Sequence, residues 1–486
     1  MRAAQGEAPR DVRHLPGRAA PSSQHGMTTS PGLRRGLRRL ALAACAALAA
    51  PCLAADASPP ARMLYSNATV IDGTGADPRP AQDILVSGER IVATGPHGSL
   101  AAQAGDAATV DLTGRYVIPG LIDTHVHLAT PPDRARALAL LRRQLYGGVT
   151  AVRDMADDLR AVGDLARASL VGEIPAPDIY YAALMAGPPF FADERVLAVS
   201  RGFPAGTAPW MQAIDDATDL PRAVTLARGT SASAIKIYAD LPAERVRAIT
   251  AEAHRQHIMV WAHSDVFPAR PAEVIDAGVD VVSHICYLAY EAQPRNLSRY
   301  EDHTPVDEAR LAPRGDDPVM GRLFAAMLAR GTIVDATGSL FVIEEPKRRA
   351  AGNPLRCTGA TTIRLTRQAW QAGVPISTGT DFTNPASDPW PAVHAEIRYL
   401  AHDVGMPPLA VIHAATLVGA RAAGQARDMG SIEPGKLANF VVLDADPVAD
   451  IDNIERIEMT VKRGRAYRRA DYASPGAREA GGDDPD

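Results

Sequence analysis

Short apolar stretches separated by turn-forming residues occupy the first part of the predicted fold. They cover residues 63–65, 68–71, 83–86 and 90–93, with Gly-, Asp- and Pro-containing segments between them. This spacing predicts short strands joined by tight turns, that is, a small antiparallel sheet. From residue 117 onward the pattern changes, because longer apolar runs alternate with segments of helical length.

Eight apolar runs in this second region have the character of buried strands. They cover residues 117–127, 149–155, 178–184, 234–238, 258–263, 279–284, 332–337 and 374–381. Helices that alternate with apolar strands are typical of a parallel sheet covered on both faces. Eight such units predict an α/β fold, a closed (β/α)8 TIM barrel. Two later strands, at 439–443 and 457–461, can pair with the first sheet and complete a small β-sandwich domain built from both chain ends.

These patterns divide the chain into five segments. They are a leader and signal peptide (1–57), the N-terminal part of the β-sandwich domain (58–116), the barrel (117–424), the C-terminal part of the β-sandwich domain (425–470) and a disordered tail (471–486).

The leader has the organisation of a secretory signal peptide. Four arginines between residues 34 and 39 precede an apolar run at 40–50, and small residues follow. We therefore expect cleavage near Ala54 or Ala55 and a periplasmic or secreted protein. The apolar run is too short for a stable membrane span. A twin-arginine signal and a lipoprotein site ending at Cys45 are alternatives, and Met27 is an alternative start to Met1.

Composition narrows the range of functions. Apolar residues make up 46% and charged residues 22%, as in ordinary globular proteins. The net charge of −5 argues against a nucleic-acid-binding surface and leaves a small-molecule substrate as the expected partner. After cleavage only Cys286 and Cys357 remain, as a disulfide or as two free thiols. The sequence permits a homo-oligomer without defining one.

Metal-binding side chains lie at or near the ends of the predicted barrel strands. They are His125, His127, Lys236, His263, His284 and Asp381. Active sites of such barrels lie at the carboxyl ends of the strands, and imidazole and carboxylate groups are good ligands for zinc. Each residue alone has a structural explanation, as a core histidine, a lysine that reaches solvent or a helix cap. Their joint occurrence favours a shared metal site.

Lys236 needs a separate explanation, because an ammonium group would repel a metal ion. A lysine carboxylated by CO2 becomes an anion with two oxygens and can bridge two cations. A salt bridge to Asp154 or Asp381 and a neutral catalytic amine remain as alternatives.

The order of these residues resembles that of the amidohydrolase superfamily over roughly residues 62–465. Further similarities are residues 72–75 and 87–91 before the barrel, 148–154 at the second strand and 435–441 after the barrel. Lys236 together with residues 260–263 and 282–284 is most similar to the prolidase and imidazolonepropionase-like group, especially its binuclear dipeptidase members. The resemblance implies a metal-dependent hydrolase of an amide or peptide-like C–N bond, in a dipeptide or an N-acyl amino acid.

The resemblance also implies roles for the site residues. His125, His127 and Asp381 would hold one divalent metal ion, and His263 and His284 the other. The N6-carboxylated Lys236 would bridge the two ions, for which zinc is the usual metal. A hydroxide shared by the two ions would attack the carbonyl carbon, with Asp381 as the catalytic proton shuttle.

Three other residues are candidates for substrate binding. Tyr238 shares a strand face with Lys236, Tyr287 follows the sixth strand, and Arg153 in the second strand has the charge to pair with a carboxylate. Packing roles are the alternatives for them. The rival functions are a lactonase or phosphotriesterase with the same binuclear centre, a mononuclear deaminase, and a non-catalytic binding protein on a degenerate barrel.

Overall fold

A computed structural model describes residues 62–313, 315–353, 355–385 and 387–476. The predicted leader and signal peptide, with the cleavage site and both candidate starts, lie outside the described residues, as does most of the predicted tail. No helix within the described ranges is both long and apolar enough to cross a bilayer.

Five strands precede the barrel and belong to a separate small sheet. They are β1 (Arg62–Val70), β2 (Arg79–Ser87), β3 (Arg90–Pro96), β4 (Ala108–Asp111) and β5 (Tyr116–Pro119). The β1–β2 and β2–β3 pairs are antiparallel, as the short turns between them predict. β1 also pairs in parallel with β4 and β5, so the sheet is mixed and not purely antiparallel.

The barrel consists of eight parallel strands in the described region. In chain order, the strands of this region are β6 (Leu121–Val126), β7 (Val149–Asp154), β8 (Asp178–Ala186), β9 (Thr207–Ala208), β10 (Met211–Ala213), β11 (Ala234–Ile237), β12 (Met259–His263), β13 (Val281–Ser283), β14 (Ile333–Asp335) and β15 (Ile376–Ser377). Of these, β9 and β10 form a hairpin that is inserted after β8, the third barrel strand, and the other eight strands form the barrel. The backbone N–H of Thr124 donates to the carbonyl of Thr378 at 2.9 Å, which joins the last barrel segment to the first. The (β/α)8 prediction is therefore confirmed.

The run predicted as a single strand at 117–127 is in fact two strands that meet at Gly120. β5 belongs to the small sheet, whereas β6 belongs to the barrel. A Cβ atom at Gly120 would lie 2.1 Å from Oγ1 of Thr150, so only glycine allows this close approach. The apolar sequence runs through both strands, and therefore it does not reveal the change of sheet.

Helices cover the outside of the barrel or follow its last strand, and one short helix lies in the small-sheet region. The helices are α1 (Ala101–Ala104), α2 (Arg134–Tyr146), α3 (Leu159–Leu170), α4 (Glu194–Val199), α5 (Leu220–Arg228), α6 (Ala243–Arg255), α7 (Pro271–Asp276), α8 (Pro318–Arg330), α9 (Gly338–Ala350), α10 (Gly359–Gln371), α11 (Val393–Arg398), α12 (Pro408–His413) and α13 (Gly419–Ala422). Five begin at an aspartate whose side chain accepts at least one backbone N–H group of the first turn: Asp133, Asp158, Asp193, Asp219 and Asp317.

Three strands after the barrel complete the small sheet. They are β16 (Phe440–Leu443), β17 (Ile457–Lys462) and β18 (Arg465–Arg468). β16 pairs with β5, so both chain ends form one sheet, as expected. The buried amine of Lys462 lies 2.9 Å from the carboxylate of Asp178 at the start of β8, and this ion pair links the sheet to the barrel.

The interior of the barrel is apolar toward the amino ends of the strands and polar at their carboxyl ends. Trp261 is fully buried and packs with Val281 and Ile333 in the lower layer. One level higher, strand register aligns four polar residues in adjacent strands, namely His263, Ser283, Asp335 and Ser377. Neighbours in register on parallel strands share a face, so this polar layer forms the floor of a site.

Candidate metal centre

Six side chains from five strands meet at the carboxyl end of the barrel. His125 lies in β6 and His127 directly after it, Lys236 lies in β11, His263 ends β12, His284 follows β13, and Asp381 follows β15. His125, Lys236, His263 and His284 are buried, whereas His127 and Asp381 are partly exposed. The structure thus places the predicted metal-binding residues around one mouth of the barrel.

The Asp381 carboxylate lies between the histidines. Its Oδ1 is 3.3 Å from Nε2 of His125 and 3.4 Å from Nε2 of His127, and its Oδ2 is 3.8 Å from Nδ1 of His284. One ligand atom from each of His125, His284 and Asp381 falls within 4.8 Å of the others. The His263 and His284 ring centroids are 4.8 Å apart. This is a candidate His/Asp metal site with room for further ligands from the same cluster.

Two of these residues have left-handed backbone conformations. The φ angle is 69° at His284 and 59° at Asp381. Residues other than glycine rarely adopt such angles, because the conformation is strained. Strained residues of this kind are concentrated at functional sites, where the surrounding fold maintains them. β13 ends at Ser283 and β15 at Ser377, before the predicted limits of 284 and 381. The two left-handed residues therefore lie beyond the regular strands.

Three polar side chains orient the histidines from behind. Asp335 accepts from Nδ1 of His125 at 2.8 Å, Asp157 lies 2.8 Å from Nδ1 of His127, and Thr337 lies 2.9 Å from Nδ1 of His284. A hydrogen bond at one ring nitrogen selects the tautomer and aims the other nitrogen. The Nε2 atoms of His125 and His127 are thereby directed at Asp381.

The electrostatics of the buried histidines favour the neutral form that binds metal. Burial lowers the pKa of His284 to about 3, and burial together with the charge of Lys236 lowers the pKa of His263 well below its usual value. Nδ1 of His263 is buried and has no hydrogen-bond partner among the described residues. Since buried polar atoms are rarely left unpaired, this donor set fits a divalent metal ion.

His127 and Asp381 behave as an ion pair in the same cluster. Burial disfavours the charged imidazole, but Asp157 and Asp381 raise the pKa of His127 well above its usual value. Burial also opposes ionisation of Asp381, yet His125, His127 and His284 lower its pKa well below the usual range. Asp381 is therefore a carboxylate at neutral pH, which is the form that ligates a metal.

Comparison with known proteins identifies the family. The model of the amidohydrolase family matches residues 116–467, which is most of the chain. The chain belongs to the amidohydrolase family. It is accordingly a metal-dependent hydrolase that acts on carbon–nitrogen bonds.

Individual relatives are distant. The chain is 26% identical over 417 residues to an imidazolonepropionase of Symbiobacterium thermophilum, with 77% of this chain and 87% of the relative covered. A Xaa-Pro dipeptidase structure with bound methionine superimposes with a TM-score of 0.65 at 21% identity, covering 84% of this chain and all (100%) of that one. An ochratoxinase of A. niger superimposes with a TM-score of 0.66 at 19% identity, covering 86% and 98%. The structural matches confirm the amidohydrolase barrel fold.

A cavity of about 520 Å³ opens above the candidate metal ligands of this amidohydrolase. Tyr238 and Tyr287, both predicted to contact substrate, line it. The Tyr238 ring centroid is 4.1 Å from that of His263, and the Tyr287 ring centroid is 5.0 Å from that of His284. Both tyrosines are therefore placed where they can reach a molecule bound at the centre.

Arg153 is placed differently from the expected substrate-binding role. It is fully buried in the barrel and does not line the cavity. Its guanidinium donates to the carbonyl of Thr124 at 2.6 Å and to Asp335 at 3.0 Å, and it stacks 4.4 Å above the Trp261 ring. The alternating direction of side chains along β7 turns Arg153 inward, so it ties strands together and cannot reach a substrate carboxylate.

Asp157 and Asp335 are the site residues that motif reasoning missed. Asp335 was visible as the one charged residue in an otherwise apolar strand at 332–337, and Asp157 as part of an acidic cluster after β7. Neither signal identifies the histidine that each aspartate contacts, because the partners are about 210 and 30 residues away in the chain.

Three late polar residues have structural contacts. His394 contacts the carbonyl of Gly147 at 2.7 Å, and His413 contacts that of Gly73 at 2.8 Å. Glu396 accepts from the backbone N–H of Ser339 at 2.8 Å at the start of α9.

Proposed function

We propose that this amidohydrolase cleaves an amide or peptide-like bond in a dipeptide or an N-acyl amino acid, at two divalent metal ions, with zinc as the metal. Lys236 carries the proposal. Its amine is fully buried near the carboxyl end of β11, and among the described residues it donates to Oγ of Ser283 at 3.3 Å. No carboxylate among the described residues forms an ion pair with it, which disfavours the salt bridge to Asp154 or Asp381.

The state of the Lys236 amine supports its carboxylation. Burial, followed by the positive charge of Arg153, lowers its pKa to about 7. A substantial fraction is then the neutral amine, which is the form that reacts with CO2. The resulting anion would interact favourably with the bound metal ions, whereas an ammonium group would repel them. In this proposal His125, His127 and Asp381 would hold one metal ion, His263 and His284 would hold the other, and N6-carboxylated Lys236 would be a ligand shared by both.

Bound divalent ions would supply a water molecule of lowered pKa and polarise the scissile carbonyl. Asp381 would accept the proton of that water and deliver it to the departing nitrogen, which must be protonated to leave. Asp335 and Asp157 would hold the histidine ligands in one tautomer during the reaction.

Tyr238 would stabilise the oxygen of the substrate carbonyl. Burial and the neighbouring Tyr300 raise the pKa of Tyr238 well above its usual value, so its hydroxyl stays protonated and can donate a hydrogen bond. Donors aimed at a developing oxyanion in a buried site contribute strongly to catalysis.

Metal analysis of purified protein tests the binuclear site. We expect about two metal equivalents in the wild type and at most about one in Lys236→Met, which keeps the side-chain volume but cannot be carboxylated. Lys462→Met, at a buried lysine outside the site, is the matched control and should retain both ions. Labelling with 13C-bicarbonate should give a carbamate NMR signal in the wild type that Lys236→Met lacks. A single equivalent that is unchanged in Lys236→Met would refute the proposal.

A substrate panel tests the bond that is cleaved. Xaa-Pro and other dipeptides, N-acyl amino acids, lactones and paraoxon-like esters are compared by kcat/KM. The proposal expects the highest kcat/KM for a dipeptide or N-acyl amino acid. A clear preference for lactones or phosphotriesters would instead support the alternative function, a lactonase or phosphotriesterase with the same metal ligands.

A further inference from the structure

The cavity above the metal centre carries an excess of positive charge. Four arginines among the described residues line it, namely Arg143, Arg195, Arg348 and Arg356, whereas the acidic residues that line it are Glu344 and Asp381. Glu344 pairs with Lys347 at 2.7 Å, and Asp381 is engaged by the histidines. The cavity therefore lacks carboxylates to neutralise its arginines.

Two of these arginines have their own partners. Arg143 donates to the backbone carbonyls of Pro385, Asp388 and Asn384. Arg195 pairs with Asp193 at 2.8 Å. Neither needs a ligand to satisfy its hydrogen-bonding groups.

Arg348 is without such a partner. It lies in the last turn of α9 and is half-buried, and its Nε is buried with no acceptor among the described residues. A buried guanidinium donor without an acceptor is costly, and the cost is recovered when an anion binds. The neighbouring Arg349 is exposed and pairs with Glu345. Of these two adjacent arginines, only Arg348 lines the cavity.

Arg356 is a second cation without a carboxylate partner. It is 5% exposed. Its guanidinium donates to the carbonyls of Tyr300 at 2.6 Å and Asp302 at 2.8 Å, and it lies 5.3 Å from the Tyr287 ring centroid. The next residue, Cys357, forms a disulfide with Cys286, so the backbone beside this charge is held against the segment that follows His284. Its donors are engaged by these carbonyls, so Arg356 contributes a fixed positive charge that no carboxylate among the described residues neutralises, and such a charge is preorganised for an anion.

Arg356 contacts His303 in the cavity that Arg348 also lines. Nη2 of Arg356 lies 3.5 Å from Nδ1 of His303. Burial and the charge of Arg356 lower the pKa of His303. The two arginines and His303 therefore share one cavity.

We propose that Arg348 and Arg356 form a subsite for the carboxylate of the substrate. The inference rests on the proposed function, because dipeptides and N-acyl amino acids both carry a free carboxylate, and it names the residues that bind this group. Planar guanidinium groups bind carboxylates through paired, charge-assisted hydrogen bonds. Aromatic side chains next to the subsite, Tyr287 and Phe341, would contact the apolar part of the same molecule.

Binding of N-acetyl-L-leucine and of its neutral amide to the metal-loaded enzyme tests the subsite by calorimetry. We expect the wild type to bind the acid about tenfold to a hundredfold more tightly than the amide, as for a hydrogen-bonded charge. Arg348→Gln should remove most of this preference and leave amide binding and metal content unchanged. Arg349→Gln, one residue along the same helix, is the control and should keep the preference. Arg356→Lys, which retains the charge but not the planar group, should show an intermediate loss.

Equal affinity for acid and amide in the wild type, or an equal effect of Arg348→Gln and Arg349→Gln, would overturn the subsite. Turnover of the two compounds separates this result from failure of the proposed function. If no dipeptide or N-acyl amino acid is hydrolysed but the acid is still preferred through Arg348, the subsite stands and the proposed reaction is wrong. If both are hydrolysed with equal kcat/KM, the reaction stands and the subsite is wrong.

Discussion

Asp335 shows how much one buried side chain does in this site. Its carboxylate accepts from four side chains: His125, Thr124, Ser283 and Arg153. Burial opposes ionisation, but Arg153 and His125 lower the pKa of Asp335 to about 2, so it is a carboxylate at neutral pH. Gly379 lies beside it, where an added Cβ would come within 1.9 Å of Oδ1. The position of His125 therefore depends on a buried carboxylate that does not line the cavity.

Asp157 has the same role for His127 and is easier to test, because it does not pair with a buried arginine. Asp157→Asn should weaken metal binding about tenfold to a hundredfold, since the amide no longer selects the tautomer of His127. Competition with a chelator, followed by metal analysis, measures this affinity. Asp158→Asn is the matched control, because Asp158 pairs with Arg160 and contacts no histidine. Equal metal affinity in both variants would contradict the orienting role.

At the scale of elements, the connections between strands and helices position the site. Aspartates at helix starts satisfy the backbone N–H groups of the first turn and so define where each loop ends. Asp317, at the start of α8, is 3% exposed and accepts from the backbone N–H groups of Val319, Met320 and Ala312. It thus holds both the helix and the loop that precedes it.

Asp317→Ala should lower the free energy of unfolding by about 1–2 kcal/mol, because three backbone donors lose their acceptor. Chemical denaturation followed by circular dichroism measures the change. Asp316→Ala removes an exposed aspartate next to it and should have almost no effect. If the two variants are equally stable, the cap contributes nothing. Both variants should keep their metal ions, since α8 carries no ligand.

At the scale of the whole molecule, distant segments are linked by a few specific contacts. The disulfide between Cys286 and Cys357 closes a loop with a sequence separation of 71 residues, with the Cα atoms 6.0 Å apart. It decides between the two alternatives that the sequence left open for these cysteines. A disulfide is compatible with the export predicted from residues 34–55, which itself stays a prediction.

Replacing both cysteines by alanine should destabilise the enzyme by about 4 kcal/mol, the loop-entropy value for a cross-link of this length. Thermal unfolding should show a lower Tm in the double variant, and the wild type under reducing conditions should approach it. The Tm of the double variant itself should not respond to the reductant. A reductant that lowers both values equally would mean that the cross-link does not form.

The sequence alone determined the features that depend on near neighbours in the chain. Apolar runs of strand length, alternating with helices, predicted the barrel, because strand and helix periodicity is a local property. Histidines at strand ends predicted the cluster of candidate metal ligands, because parallel strands bring their carboxyl ends to one edge. Both predictions need only the residues within each strand or helix, together with the rule that parallel barrel strands place their carboxyl ends at the same end of the barrel.

Tertiary structure decided what depends on partners far apart in the chain. The apolar run at 117–127 contains no local signal that Gly120 divides it between two sheets. Arg153 has the charge to bind a substrate, but its direction in β7 places it against Asp335 inside the barrel. Arg348 and Arg356 are candidates for binding an anion only because the fold places no carboxylate of the described residues next to them. Contacts between distant residues are set by packing of the complete chain, and no short stretch of sequence contains that information.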